Sequence, residues 1–392
     1  MKIYYFSPYD ILRPRTNQVG DMRLCEGFVQ NGAKVDLIIP FVYRKDNIPR
    51  EKIWEFYGLE DHFNIRFLKT WFTSDVAGKW MFSILSLLNC MVFTGIIIRS
   101  WFSKEKVYII SRTPMLLRPF LWIRMIIPFA CGKIRIVSWI HELKLSSAYR
   151  FVYKNADGVM GTNSSLTNDL IKETGKKKEK TCVTLNPISS AQLRDRPTKS
   201  ESRKEIGLNG IYPLIVYTGK IGTKYNKEII YILEAAEQLP DYHFLFTGGK
   251  QDAISILEEW CDKHNVKNVK FTGYIPDYTR IKYYQSAADI LISYYTSQGH
   301  DVRYNFPNKL CEYMLTGNVA ITPDFPANRD VAHKDNVLFT DAENSVALAA
   351  TIRKAAENPE LSKELAARAL TEMQEMTFKV RCSIIINFLK TL

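Results

Sequence analysis

In the stretch FPNKLCEYMLTGNVAIT (Phe306–Thr322) a carboxylate, Glu312, stands on what reads as a short helix handing over to a strand. Leu310 and Met314 flank it at two-residue spacing, so the element otherwise packs against a sheet. A carboxylate near a helix N-terminus at a sheet's mouth can accept hydrogen bonds from two adjacent hydroxyls, such as those of a ribose. The positive end of that helix would favour a diphosphate beside it. The competing reading is an exposed helical Glu with no role. A second cluster tips the balance. In YTGKIGTKYNKEIIYILEAA (Tyr217–Ala236) a strand ends at Gly219, and Lys220, Lys224 and Lys227 follow before a helix, with Glu228 as the one nearby acid. Three ammonium groups there suit a pyrophosphate on which charge develops as a bond breaks, whereas the bland alternative is a solvated loop. His141, in SWIHEL, ends another strand and either faces a ligand or is a core His with a buried partner. Thr162–Ser164 ends a further strand, and Arg13–Asp21 reads as a loop before the first helix.

The elements that must position these residues alternate. KIYYF, KVDLIIP, VYIIS, IRIVSWI and GVMGT read as strands separated by helical patterns. The pattern restarts near Ile211 with PLIVYTG, HFLFTGG, VKFTG, ADILIS and VAIT, the first four each followed by a helix, one of them over Thr279–Ser286. Between the two series, Ser189–Gly210 is polar and reads as a linker plus a short helix. The expected fold class is α/β, with two doubly wound parallel-sheet domains facing a central cleft. The N-terminal domain spans 1–188 and the C-terminal domain 189–375, while the amphipathic segment 376–392 packs back on the first.

Charge narrows the function classes. The 392 residues carry a net +12, and residues 1–190 hold 28 Lys+Arg against 16 Asp+Glu, which is the whole excess (the rest, 53 − 28 and 41 − 16, balances at 25 each). Two apolar runs, Trp80–Ile98 and Pro114–Ala130, lie in the same half among Arg and Lys, the pattern of a protein seated on an anionic membrane surface. A membrane span is rejected because a strand, VYIIS, follows the first run within ten residues. Nucleic acid could use the same charge, but no helix-turn-helix, zinc-finger or RNA-recognition pattern occurs. Seven scattered cysteines without a C-x-x-C pair argue for reduced thiols in a cytoplasmic compartment, and the opening MKIYYFSPYD is read as a first strand rather than a signal peptide.

The ordered set ADGVMGTNSSLTNDLI, TLNPIS, YTGKIG, HFLFTGG, VKFTGYIPDYTRIKYYQSAADILIS and PNKLCEYMLTGNVAIT resembles the retaining glycosyltransferases of family four, which have the GT-B fold. The likeness is good over Val137–Thr322 and holds only in outline before that. It implies a nucleotide-sugar donor, UDP ahead of GDP, held mainly by the C-terminal domain, with no metal. On the residues matched, it implies catalytic roles for His141, Lys220 and Lys227. It implies donor contacts from Gly219, Lys224, Gly248, Tyr274 and Ile275, and from Gln298, Gly299, Asn308, Lys309 and Glu312. The implied acceptor is a lipid-linked or other saccharide of a surface polysaccharide, reached by peripheral association with the inner face of the cell membrane. Two departures stand out. The family's first Glu, eight residues before Glu312, is Tyr304 here, and the Gly after its diphosphate Lys is Glu228. A nucleotide-sugar epimerase of the same fold and a non-catalytic membrane or nucleic-acid binding protein are the rival readings.

Overall fold

The computed structural model describes residues 1–12, 16–41, 47–69, 79–186, 188, 196–222, 227–297 and 301–392, leaving aside the side chains of 16, 17, 79–83, 227 and 278. The chain divides into two compact units, Met1–Pro187 with Thr377–Leu392, and Ile188–Met376.

The first unit is a parallel sheet of seven strands: β1 (Lys2–Phe6), β2 (Lys34–Phe41), β3 (Asn64–Lys69), β4 (Val107–Ser111), β5 (Ile134–Ile140), β6 (Gly158–Gly161) and β7 (Thr181–Val183). Their order is β3-β2-β1-β4-β5-β6-β7, so the winding reverses between β1 and β4. Strands such as β4 are buried along their full length because helices cover both faces of the sheet, which is why they read as continuous apolar runs rather than alternating ones. On one face, Met22, Cys25 and Phe28 of the helix Thr16–Gln30 pack with Cys382, Ile385 and Leu389 of the C-terminal helix Phe378–Thr391 over Ile3, Tyr5 and Leu37. Gly27 permits that approach, since a Cβ there would lie 2.8 Å from Cys382 Sγ and 2.9 Å from the Phe378 carbonyl. On the other face, Phe93, Ile96 and Ile97 of the helix Lys79–Phe102 join Leu117, Phe120 and Leu121 of the helix Pro114–Ile126 over Tyr4, Phe6, Ile109 and Ile136. By length and composition the segment Ile84–Phe102 (mean hydropathy 1.6) could cross a bilayer, and 33% of its apolar window is buried inside the unit.

The Arg13–Asp21 expectation needs correction. Helix begins at Thr16, so Asp21 is a buried helical residue and not part of a loop; residues 13–15 lie outside the described ones.

The second unit is a parallel sheet of six strands: β8 (Leu214–Thr218), β9 (His243–Thr247), β10 (Val269–Phe271), β11 (Ile290–Ile292), β12 (Val319–Pro323) and β13 (Leu338–Thr340), in the order β10-β9-β8-β11-β12-β13. Its reversal falls between β8 and β11. Ligands of open α/β sheets bind outside the carboxyl ends of strands at such a reversal. Before β8, a capping box at Thr198 and Glu201 starts the short helix Lys199–Glu205. The helix expected over Thr279–Ser286 runs Ile281–Ala287, after a 3-10 turn Tyr278–Arg280.

Candidate functional site

In the second unit, the carboxyl end of β8 is tied to the helix Asn308–Met314 by Tyr313. The Thr218 amide donates to the Tyr313 hydroxyl at 2.8 Å, and that hydroxyl donates to the Thr218 carbonyl at 3.1 Å. Both residues are buried, so the clamp fixes where the helix stands above the strand end. The helix has seven residues and Glu312 is the fifth, so it lies in the second half and not near the N-terminus as expected. The reason is local: the chain turns at Leu315–Thr316 into Gly317, whose φ of +71° stops the helix early.

Glu312 is half-buried and turned toward the strand end. Its Oε2 accepts from Gln285 Nε2 at 3.3 Å, and the same Nε2 reaches Thr218 Oγ1 at 3.2 Å. Gln285 Oε1 in turn accepts from Arg196 at 3.5 Å. A carboxylate beside a polar strand end is suited to accepting from hydroxyl donors.

Lys309, one turn before Glu312, brings its ammonium to the same place. Nζ lies 4.0 Å from the Tyr217 ring centre and 5.1 Å from that of Tyr295. A Cβ on Gly219 would meet that Nζ at 2.8 Å, so the glycine makes room for the cation at the end of β8. Burial alone would lower the Lys309 pKa; interaction with Tyr217, Tyr295 and Tyr313 outweighs it and raises the pKa, keeping the amine charged. Gly248, after β9, packs on the same turn. Its amide donates to Gly273 at 3.0 Å, and a Cβ on it would lie 2.0 Å from the Gly219 carbonyl. Tyr274, just past Gly273, is exposed and Ile275 half-buried.

Of the residues expected here, Gly219, Gly248, Lys309 and Glu312 come together through these contacts, and exposed Lys220 follows Gly219 directly. Asn308 opens the helix and is exposed. Lys227 is the first residue of the helix Lys227–Glu237, its side chain not among those described. Lys224, Gln298 and Gly299 lie outside the described residues. Sequence reasoning did not single out Tyr217, Gln285, Tyr295 or Tyr313. The one available signal is that Tyr313 directly follows Glu312 in the same stretch.

In the first unit, His141 follows β5 and is half-buried. Its Nε2 accepts from Arg112 Nε at 2.7 Å, and Arg112 follows the neighbouring strand β4. Arg112 also donates to Asp21 Oδ1 at 3.2 Å; Asp21 further accepts from Tyr5 at 2.8 Å and from Ser7 at 2.7 Å. Desolvation, and then the Arg112 charge, hold the His141 pKa well below its ordinary value. His141 is therefore both at a strand mouth and paired, the two readings that the sequence had set against each other. At the mouth of β6, Asn163 caps the helix Ser164–Thr174 by accepting from Leu166 N at 2.7 Å, a structural use of the Thr162–Ser164 stretch.

Residues 212–358 match the family model described as glycosyl transferases group 1, and this match supports a glycosyltransferase. No curated protein matches the chain in sequence. Among solved structures, the chain is similar to Alr3699/HepE from Anabaena in complex with UDP (TM-score 0.71, 16% identity, covering 100% of both chains). It is similar also to a glycosyltransferase from Rickettsia africae ESF-5 (0.70, 12%, 100% of this chain and 97% of that one). A third is the lipopolysaccharide outer core galactosyltransferase WaaB in its apo form (0.63, 12%, 100% and 99%). At these identities the likeness is one of fold. Two parallel sheets of seven and six strands with flanking helices are the GT-B fold.

Proposed function

We propose that the chain is a retaining glycosyltransferase of family four that moves a sugar from a nucleoside diphosphate to a saccharide or lipid-linked saccharide of a surface polysaccharide. The observation that carries the reading is the convergence of Lys309 and Glu312 on the carboxyl end of β8, beside Gly219 and at the reversal of the second sheet. In this reading Glu312 accepts from the ribose hydroxyls, and Lys309 with Lys220 holds the diphosphate. The sugar's anomeric carbon–oxygen bond breaks toward the β-phosphate. The departing phosphate oxygen takes the acceptor's proton, and the acceptor oxygen bonds the same face of the sugar. Cations at the diphosphate stabilise the charge that grows there. UDP is the first nucleotide to test, because Alr3699/HepE was solved with UDP and with UDP-glucose. A thermal-shift panel of UDP, GDP, ADP and CMP is the first experiment. A raised melting temperature with a diphosphate, followed by release of UDP from a UDP-sugar, supports the reading; no shift with any of the four contradicts it.

The acceptor and the cellular place belong to the same proposal. Phe102 and Phe129 are 86% and 82% exposed, with Ile126 and Trp101 exposed beside them in the chain. Trp101 donates to the Ala130 carbonyl at 3.1 Å and Lys133 to the Ser103 carbonyl at 2.6 Å, which holds the helix end and the 128–131 turn together. Exposed Arg99, Lys104, Lys106 and Lys133 lie near them in the chain, with Glu105 the one exposed acid among them. Such a face suits the anionic inner surface of the cell membrane, where lipid-linked acceptors reside. The protein should pellet with phosphatidylglycerol vesicles, be released by salt, and lose most binding in Phe102→Ser/Phe129→Ser. Equal pelleting with neutral vesicles contradicts the electrostatic part.

A further inference from the structure

The Arg112–His141 pair fixes a proton. An arginine Nε–H donates and never accepts, so at 2.7 Å the His141 Nε2 facing it must carry the lone pair. The ring is then neutral and its hydrogen sits on Nδ1. Arg112 is itself held. Asp21, about 1% exposed, accepts from it and is braced by Tyr5 and Ser7. The guanidinium lies 5.3 Å from the Trp139 ring centre, and a Cβ on Gly20 would stand 3.0 Å from Arg112 Nη1, so the fork fits a close-walled slot. These residues come from the mouths of β1, β4 and β5 and from the helix Thr16–Gln30, at the reversal of the first sheet.

We infer that Arg112 is a positioning residue: it locks His141 as a neutral Nδ1–H hydrogen-bond donor for an oxygen of an acceptor held at this strand mouth, and removes it from service as a proton acceptor. Both ring nitrogens are committed, one to Arg112 and one to its own hydrogen. Protonating Nε2 would set N–H against N–H and cation against cation. The groups that bear on the ring agree with this. Arg112 faces it from the end of β4, Asp21 stands behind Arg112, and the Trp139 ring lies beside it, tilted by 31°, at 5.6 Å between ring centres. Glu142, next in the chain, is paired with Lys144 at 2.5 Å. The role toward an acceptor rests on the transfer proposed above, whereas the tautomer does not.

The test is long-range proton–nitrogen NMR of the full chain labelled with 15N-histidine, His141 being identified by the signal lost in His141→Gln. The expected spectrum has hydrogen on Nδ1 and does not titrate between pH 5.5 and 8. In Arg112→Met combined with Asp21→Asn, which leaves no carboxylate buried alone, His141 should titrate at a higher pH than in the wild type, with burial still holding it below its ordinary value, and shift its neutral form toward Nε2–H. UDP-glucose hydrolysis by that variant should fall about five- to tenfold at pH 8 and recover as pH drops and Nδ1 regains its proton. A purely structural role would not give that recovery. A wild-type His141 that titrates between pH 6 and 7, or that carries its hydrogen on Nε2, overturns the inference, and this holds even if the variant fails to fold. If no nucleotide shifts the melting temperature while the Nδ1–H form is found, the transferase reading falls and the lock stands.

Discussion

Replacing Lys309 by Met removes a charge while keeping the side chain's length. Without ligand, the ammonium gains from the rings at 4.0 and 5.1 Å, about 0.5–1 kcal/mol each. The thioether keeps part of the packing and no longer needs a buried charge to be solvated, so stability should change by less than about 1 kcal/mol. With a diphosphate bound, the variant lacks one charge-assisted hydrogen bond, worth about 1.5–3 kcal/mol. At about 1.4 kcal/mol per decade this is roughly a 10- to 100-fold weaker Kd for UDP. Uridine has no phosphate, so its affinity should stay within about twofold. Isothermal titration of UDP, UMP and uridine against both proteins reads the difference, and urea unfolding checks that the fold is intact. A UDP affinity changed less than threefold, or uridine weakened as much as UDP, would refute the assignment of Lys309 to the phosphates.

Other outcomes follow from the same geometry. Glu312→Gln should weaken UDP about tenfold yet change 2′-deoxy-UDP little, because the lost acceptor serves the ribose hydroxyls; equal loss for both nucleotides would separate Glu312 from the ribose. Gly248→Ala places a methyl 2.0 Å from the Gly219 carbonyl at a φ of +121°, so urea unfolding should show a loss of at least about 2 kcal/mol. His141, with its pKa held well below the ordinary value, stays neutral when folded but takes a proton near pH 6.5 when unfolded. The stability it contributes is therefore whole above pH 6.5 and lost as pH falls below it. Between pH 7 and 5.5 the wild type should lose about 1 kcal/mol more than His141→Gln in urea unfolding.

The α/β class with parallel sheets was legible because strands buried on both faces spell continuous apolar runs, such as VYIIS and IRIVSWI, between helical patterns. Boundaries were less so. Gly20 and a turn-like R-P-R-T-N composition masked the start of the Thr16–Gln30 helix, which is held by packing of Met22, Cys25 and Phe28 and not by local propensity. At the candidate site, Glu312 and Gly219 stood out by residue type and place. The clamp from Tyr313 to Thr218 did not, since a Tyr among apolar neighbours reads as core until its hydroxyl's partner 95 residues away is known. Arg112 was hidden for a similar reason. Its partner lies on the next strand, 29 residues on, and only the order β1-β4-β5 sets the two side by side.

The most direct measurement is a crystal structure of the chain with UDP. The account predicts the ribose hydroxyls on Glu312 and the diphosphate within hydrogen-bond distance of Lys309 Nζ, over Gly219. A nucleotide bound elsewhere, or one at that strand end with its phosphates turned from Lys309, would contradict it.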